Sequence, residues 1–167
     1  MTTYCVKPDS SINYSFENNL STDVEFLYPK RYTYAVPFSW GTMYDLSSED
    51  TTSTSAWHAN FAYMRLLPNS KWHDSSGYDS IEEMSPYDTV RIFVFDGQYY
   101  YLPYYEVNPN EIHESEDYLC RYDLTTTDLY GLVDQNGYIR IAFPPSTEMS
   151  NVKMYPKYED LCKLYKE

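Results

Sequence analysis

"DTVRIFVFDGQYYYLPYYE", Asp88 to Glu106, is the stretch on which the fold turns. Val90, Ile92 and Val94 share one parity while Phe93 and Phe95 share the other, so a strand here is apolar on both faces and belongs in the middle of a covered sheet. Asp96-Gly97 then reads as a two-residue hairpin turn, whose central positions need positive φ and tolerate Asp-Gly. In that register Tyr99 faces Val94 and Tyr101 faces Ile92, aromatic against β-branched. Pro103 ends the partner strand and sets it near a sheet edge.

The same period of two recurs upstream. Ile12, Tyr14 and Phe16 alternate with Asn13, Ser15 and Glu17; Val24, Phe26 and Tyr28 run up to Pro29; Tyr32, Tyr34 and Val36 run up to Pro37. Alternation closed by turn residues marks half-buried strands. Composition agrees: 21 Tyr, 7 Phe and 3 Trp favour a pleated surface, and 10 Pro break up long helices. Gly41 to Ser55 is polar and reads as a loop, and Pro68 to Ser80 as another, with "SIEEM" (80–84) as one helical turn before Pro86. "SAWHANFAYMRLL" (55–67) carries helical spacing at Trp57, Phe61 and Met64, yet Phe61, Tyr63 and Arg65 also alternate; the β context favours a strand.

Further on, "RYDLTTTDLYGLVDQNGYIRIAFPP" (121–145) admits two readings. Thr125 can cap a short helix with Asp128 three residues on and Leu129, Leu132 and Val133 on its apolar side. Alternatively "LYGLV" pairs with "YIRIAF" as a hairpin around Gln135-Asn136-Gly137. In either reading Ile139, Ile141 and Phe143 point inward. At the end of the chain Pro156 suits a first helical turn, and Tyr158, Leu161, Cys162 and Tyr165 fall at i, i+3, i+4 and i+7, one apolar stripe. The fold expected is all-β or β-dominated: an antiparallel β-sandwich-like single domain over residues 1–167, with a C-terminal α-helix, room for one short internal helix, and a flexible segment at 1–10. A chain of 167 residues buries enough surface for a core of its own.

With 12 Lys and Arg against 25 Asp and Glu, the formal charge of −13 disfavours direct contact with nucleic acid or anionic lipid, and no basic cluster locally reverses it. An acidic face serves solubility first; mimicry of nucleic acid toward a basic partner is the sharper alternative. Cys5, Cys120 and Cys162 contain no CxxC pair, which removes zinc ribbons and thioredoxin-like redox motifs, and a Cys120–Cys162 bridge and free thiols remain equally open. No apolar run is long enough to span a membrane.

Two pieces, "YDTVRIFVFD" (87–96) and "YLCRYDLTTTDLYGL" (118–132) with "YIRIAFPP" (138–145), resemble small envelope lipoproteins of Bacteroidetes bacteria, which carry an IFIFD-like strand, an RYDLT-like segment, a DL-containing turn and a strand ending in prolines. "INYSFENNLSTDVEFLYP" (12–29) is similar to their opening. The resemblance implies a β-rich fold in the cell envelope, periplasm or outer-membrane surface, with a lipid anchor on the precursor. It transfers no catalytic residue. Cys5 follows "MTTY" with no apolar run and does not fit a lipobox, and the stretch around "VDQNGY" (133–138) is longer than the pattern. Without a leader, a cytoplasmic or virion-associated setting is the expectation.

Chemistry is thinly signalled. His58, His73 and His113 lie in unrelated segments without HxxxH, HExxH or HxH spacing, and "WHDSSGYDSIEE" (72–83) lacks the acidic periodicity of a calcium loop, so no metal or other cofactor is expected. No GxSxG supplies a nucleophile. Carboxylate pairs such as Glu106 with Glu114 or Asp117 exist in any acidic chain and select nothing. The functional lever is aromatic. Alternation buries only about half of the five tyrosines in "QYYYLPYYE" and leaves Tyr100 and Tyr104 or Tyr105 exposed, so Tyr99, Tyr100, Tyr104 and Tyr105, with Trp72, are the candidate ligand-binding residues; the competing reading is that Tyr replaces Phe and Leu in a core with wet margins. The expected function is a non-catalytic envelope domain acting through contacts with a protein partner. Alternatives are a carbohydrate-binding module and an acidic viral or accessory protein that binds a basic partner.

Overall fold

The computed structural model describes residues 12–30, 42–43, 57–58, 61–85, 88–97 and 118–166. Two sheets face each other. Strands β1 (Asn13–Asn18), β6 (Ser70–Ser75) and β9 (Tyr138–Phe143) form one, in the order β6-β1-β9. The other runs β10-β8-β7-β2-β5, from β2 (Val24–Pro29), β5 (Phe61–Leu66), β7 (Val90–Asp96), β8 (Cys120–Leu124) and β10 (Lys153–Tyr155). A further pair, β3 (Thr42–Met43) with β4 (Trp57–His58), stands apart, so Thr42 and Met43 extend a strand into the region expected to be loop. Neighbouring strands in the two large sheets are antiparallel except β1 and β9, which run parallel.

The expected alternation holds. Tyr14 and Phe16 of β1, Phe26 and Tyr28 of β2, Ile92 and Val94 of β7, Tyr122 of β8, and Ile139, Ile141 and Phe143 of β9 are all buried in one core. Rings cross between the sheets: Phe16 lies 4.8 Å from Phe26 and 4.6 Å from Tyr28. Tyrosine works here because each hydroxyl finds an acceptor. Tyr14 donates to the Pro29 carbonyl and Tyr122 to the Ala142 carbonyl, both at 2.8 Å. Burial pushes both phenols well above their ordinary range, so they stay protonated donors.

Central strand β7 is buried on both faces from Val90 to Phe95, as its two-sided apolarity requires. Its partners are not those expected. Val94 pairs laterally with Phe26 of β2 and with Cys120 of β8, so the place beside it assigned to Tyr99 is filled by distant strands. Residues 98–117, including Tyr99, Tyr101 and Pro103, lie outside the described residues, as does the strand expected at Tyr32–Val36. Gly97 is glycine for a reason other than a left-handed turn: a Cβ there would meet Asp23 Cβ at 2.5 Å, and its N–H donates to the Asp23 carbonyl at 3.0 Å.

Among the described residues three short α-helices close the ends. The helical turn expected at "SIEEM" is α1 (Ile81–Met84), capped by Ser80. The helix reading of the second stretch holds as α2 (Thr126–Gly131). Thr125 Oγ1 accepts from the Asp128 N–H at 3.1 Å, Asp128 Oδ2 accepts from the Thr125 N–H at 2.9 Å, and such a reciprocal cap contributes about 1 kcal/mol. The hairpin survives only as the remnant that follows, where Val133 bridges Ile139. Helix α3 (Tyr158–Leu164) docks on the core through Leu161; Pro156 precedes its capping residue Lys157 instead of opening the helix. Cys120 and Cys162 are both free thiols.

Candidate functional site

Of the five candidate residues, Tyr99, Tyr100, Tyr104 and Tyr105 lie outside the described residues, and Trp72 does not sit on a loop. It lies in β6, and the expectation of a loop across 68–80 is corrected over its first half. "SKWHDS" carries no apolar alternation because most of this strand faces water; what makes it a strand is a six-position antiparallel ladder with β1, from Ser70 opposite Asn18 to Ser75 opposite Asn13. Backbone pairing, not side-chain burial, holds it.

The ladder is anchored at a corner where the chain leaves one sheet for the other. Asn18, fully buried, donates to the carbonyls of Thr22, Leu66 and Leu67 at 2.8, 3.2 and 3.0 Å and accepts from the Leu20 N–H at 2.9 Å. Asn69 takes the left-handed conformation (φ 52°) that Asn tolerates. The far end of β6 is tied to the opposite sheet: Asp74 accepts from Tyr28 Oη at 2.5 Å and from Lys30 Nζ at 2.8 Å.

Between these anchors Trp72 is 62 % exposed and Leu67, at the corner, 65 % exposed. Ser76 N–H donates to the Ile12 carbonyl at 2.8 Å in the same register. Antiparallel pairing alternates, so Ser70, Trp72 and Asp74 aim their backbone groups at β1, while Lys71, His73 and Ser75 aim theirs outward. Among the described residues nothing pairs with that outer edge. The opposite edge of the same sheet is covered, with Arg140 N–H donating to the Leu132 carbonyl at 3.0 Å and Asp134 N–H to the Tyr138 carbonyl at 2.8 Å. An exposed Trp on an edge strand is an uncommon feature, since natural edges are usually blunted.

The outward face of this sheet is polar and internally neutralised. Glu17 accepts from Arg140 at 3.1 Å and pairs with Lys71 at 3.3 Å, Arg140 reaches Glu148 at 3.2 Å, and the His73 and Tyr138 rings stack at 4.3 Å. Ser15 sits laterally between His73 and Arg140. A serine beside a histidine is the pattern a nucleophile needs. Ser15 is nevertheless 0 % exposed, with its hydroxyl unpartnered, and so closed to substrate. Cys120 is equally buried, and burial drives its thiol far above the reactive range. No three His, Cys, Asp or Glu side chains converge on a point among the described residues.

On the outer face of the larger sheet, Glu25 is 5 % exposed, and its pKa is pushed up from 4.5 to about 7, first by burial and then by Asp23 and Asp96, against an opposing pull from Arg65. The folded state therefore binds a proton there that the unfolded chain has released between pH 4.5 and 7. Stability falls as pH rises through that window, by up to about 1.4 kcal/mol per unit. Glu25→Gln removes the dependence: its melting temperature should match the parent at pH 4 and exceed it at pH 8. A parent Tm that rises between pH 5 and 8 relative to the variant contradicts the assignment.

No protein-family profile, curated protein or solved structure matches the chain.

Proposed function

We propose that the protein is a non-catalytic β-sandwich domain of the cell envelope that acts by binding a protein partner, and that the partner docks as an added strand on the outer edge of β6. The observation that carries this reading is Trp72, exposed at the middle of a strand that ends its sheet among the described residues. Main-chain amides of Lys71 and His73 supply sequence-independent affinity, and Trp72 supplies an aromatic anchor of the kind that dominates interface energetics. The resemblance of the Tyr87–Asp96 and Tyr118–Pro145 segments to Bacteroidetes envelope lipoproteins supports the setting, and cell fractionation with antibody against the chain tests it.

Selection of a random peptide library on the full chain tests the docking mode. Selected extended peptides should lose at least about tenfold affinity to Trp72→Ala, a loss of about 1.4 kcal/mol, and lose binding to His73→Pro, which removes an outward amide. Both variants should keep the parent's circular dichroism. Peptides that bind Trp72→Ala as well as the parent would sink the reading. Exposed Trp also suits a sugar ring, so saturable binding on a glycan array that Trp72→Ala abolishes, with no peptide selected, would favour the carbohydrate-binding alternative. Binding only to basic peptides, lost in high salt, would favour the acidic accessory role.

A further inference from the structure

The outer edge of β6 is complementary to itself. Trp72 lies near the middle of the strand, laterally opposite the buried Phe16 of β1 and therefore on the same face of the sheet. A two-fold axis perpendicular to the sheet lays β6 of a second copy antiparallel to the first, with Trp72 opposite Trp72. Side chains that lie opposite each other share a face, so the row Phe16, Trp72, Trp72, Phe16 runs unbroken across β1-β6-β6-β1. In the same register Lys71 lies opposite His73 of the second copy. These are the residues whose backbone groups aim outward, so each such pair exchanges both of its N–H···O bonds. The two tryptophans then occupy the closer, non-hydrogen-bonded position, where cross-strand side chains interact most strongly.

Charge permits the pairing here. Each chain carries a formal charge of −13, so two copies approach only where their charges are already compensated. Strand β6 meets that condition. Lys71 Nζ lies 3.3 Å from Glu17, and Asp74, the one carboxylate of the strand, lies 2.8 Å from Lys30 Nζ. In the paired register Ser70 faces Asp74 and Lys71 faces His73, so no carboxylate meets another. A basic partner, conversely, finds no uncompensated carboxylate on this strand. Growth also stops at a pair, because the far edge of the same sheet is covered by the Leu132–Asp134 segment.

We propose that the strand docking on β6 is β6 of a second copy of this chain, a pairing that rests on the edge-docking reading above and names its occupant. Contact through one strand and one exposed ring per chain falls below the roughly 800 Å² per partner of a stable interface, so the dimer is weak and reversible. Salt screens the repulsion between two acidic chains and strengthens it, the opposite of its effect on a basic partner.

Sedimentation equilibrium of the full chain between about 10 μM and about 1 mM, in low and in high salt, tests the proposal over the range where weak dimers assemble. The average mass should climb toward twice that of the chain, and should do so at lower concentration in high salt. Trp72→Ala should weaken association at least about tenfold, while Trp72→Phe, which keeps the aromatic row, should recover most of it. His73→Pro, which removes an outward amide, should stay monomeric with the parent's circular dichroism. A parent chain that is monomeric throughout overturns the second copy as occupant. In that case library peptides that still depend on Trp72 leave the edge-docking reading standing, and a library that yields none removes both. A dimer that persists in Trp72→Ala and His73→Pro, or that dissociates as salt rises, also overturns the proposal.

Discussion

Phe16→Ala should lower the unfolding free energy by about 3–5 kcal/mol, the range for deleting a large aromatic side chain from a tight core. Phe16 is fully buried on the central strand of the smaller sheet and packs its ring 5.0 Å from Tyr14, 4.8 Å from Phe26 and 4.6 Å from Tyr28. Two of those neighbours belong to the opposite sheet, so the vacated volume opens between the layers. Collapse is resisted because β1 is paired on both sides, with Trp72 beside Phe16 on β6 and Ile141 on β9. Since total stability of a domain is about 5–15 kcal/mol, such a loss leaves a marginal protein. Urea unfolding measures it directly, and Phe16→Leu, which keeps most of the volume, should lose much less. A loss under about 1 kcal/mol for Phe16→Ala would show that the sheets are not joined through this ring.

Asp123→Ala should be comparably damaging by a different mechanism. On the outer face of the larger sheet Asp123 lies opposite Arg91 and accepts from its Nε at 2.8 Å and its Nη2 at 3.2 Å, while Arg121 Nη2 donates at 3.1 Å. All three side chains are nearly buried. Removing the carboxylate leaves two guanidinium groups of like charge in a poorly solvated place, which typically destabilises by about 3–5 kcal/mol. Most of that figure is the penalty on Arg91 left without its carboxylate, not the net value of the ion pair. The double variant Asp123→Ala with Arg91→Met should therefore recover part of the loss in the same urea experiment. Additive losses from Asp123→Ala and Arg91→Met would rule out the coupling.

Strand positions were legible wherever burial writes itself into the side chains. Val24, Phe26 and Tyr28, or Ile139, Ile141 and Phe143, alternate because one face meets the core and the other does not. Strand β6 escaped for the converse reason: a ladder to β1 holds its backbone, and Lys71, Trp72 and His73 remain exposed, so burial left no pattern to read. Its one visible signal is Trp72 itself, an expensive side chain to leave in water, and an exposed Trp does not tell a loop from an edge strand. The Asp96-Gly97 turn failed for a related reason. A hairpin signal reports only local preference, and β2 and β8 take both lateral positions of Val94.

From the chain alone come the β-rich class, the inward faces of its strands, the capped turn at Thr125 and the amphipathic C-terminal helix. Each depends on residues within one turn or one strand of their neighbours. Tertiary structure alone decided which strands lie side by side, that β1 and β9 run parallel across more than a hundred residues of sequence, and that a polar strand closes the smaller sheet. Those outcomes come from competition among distant segments for the same edges and the same interior volume, and no local pattern of side chains records which competitor wins.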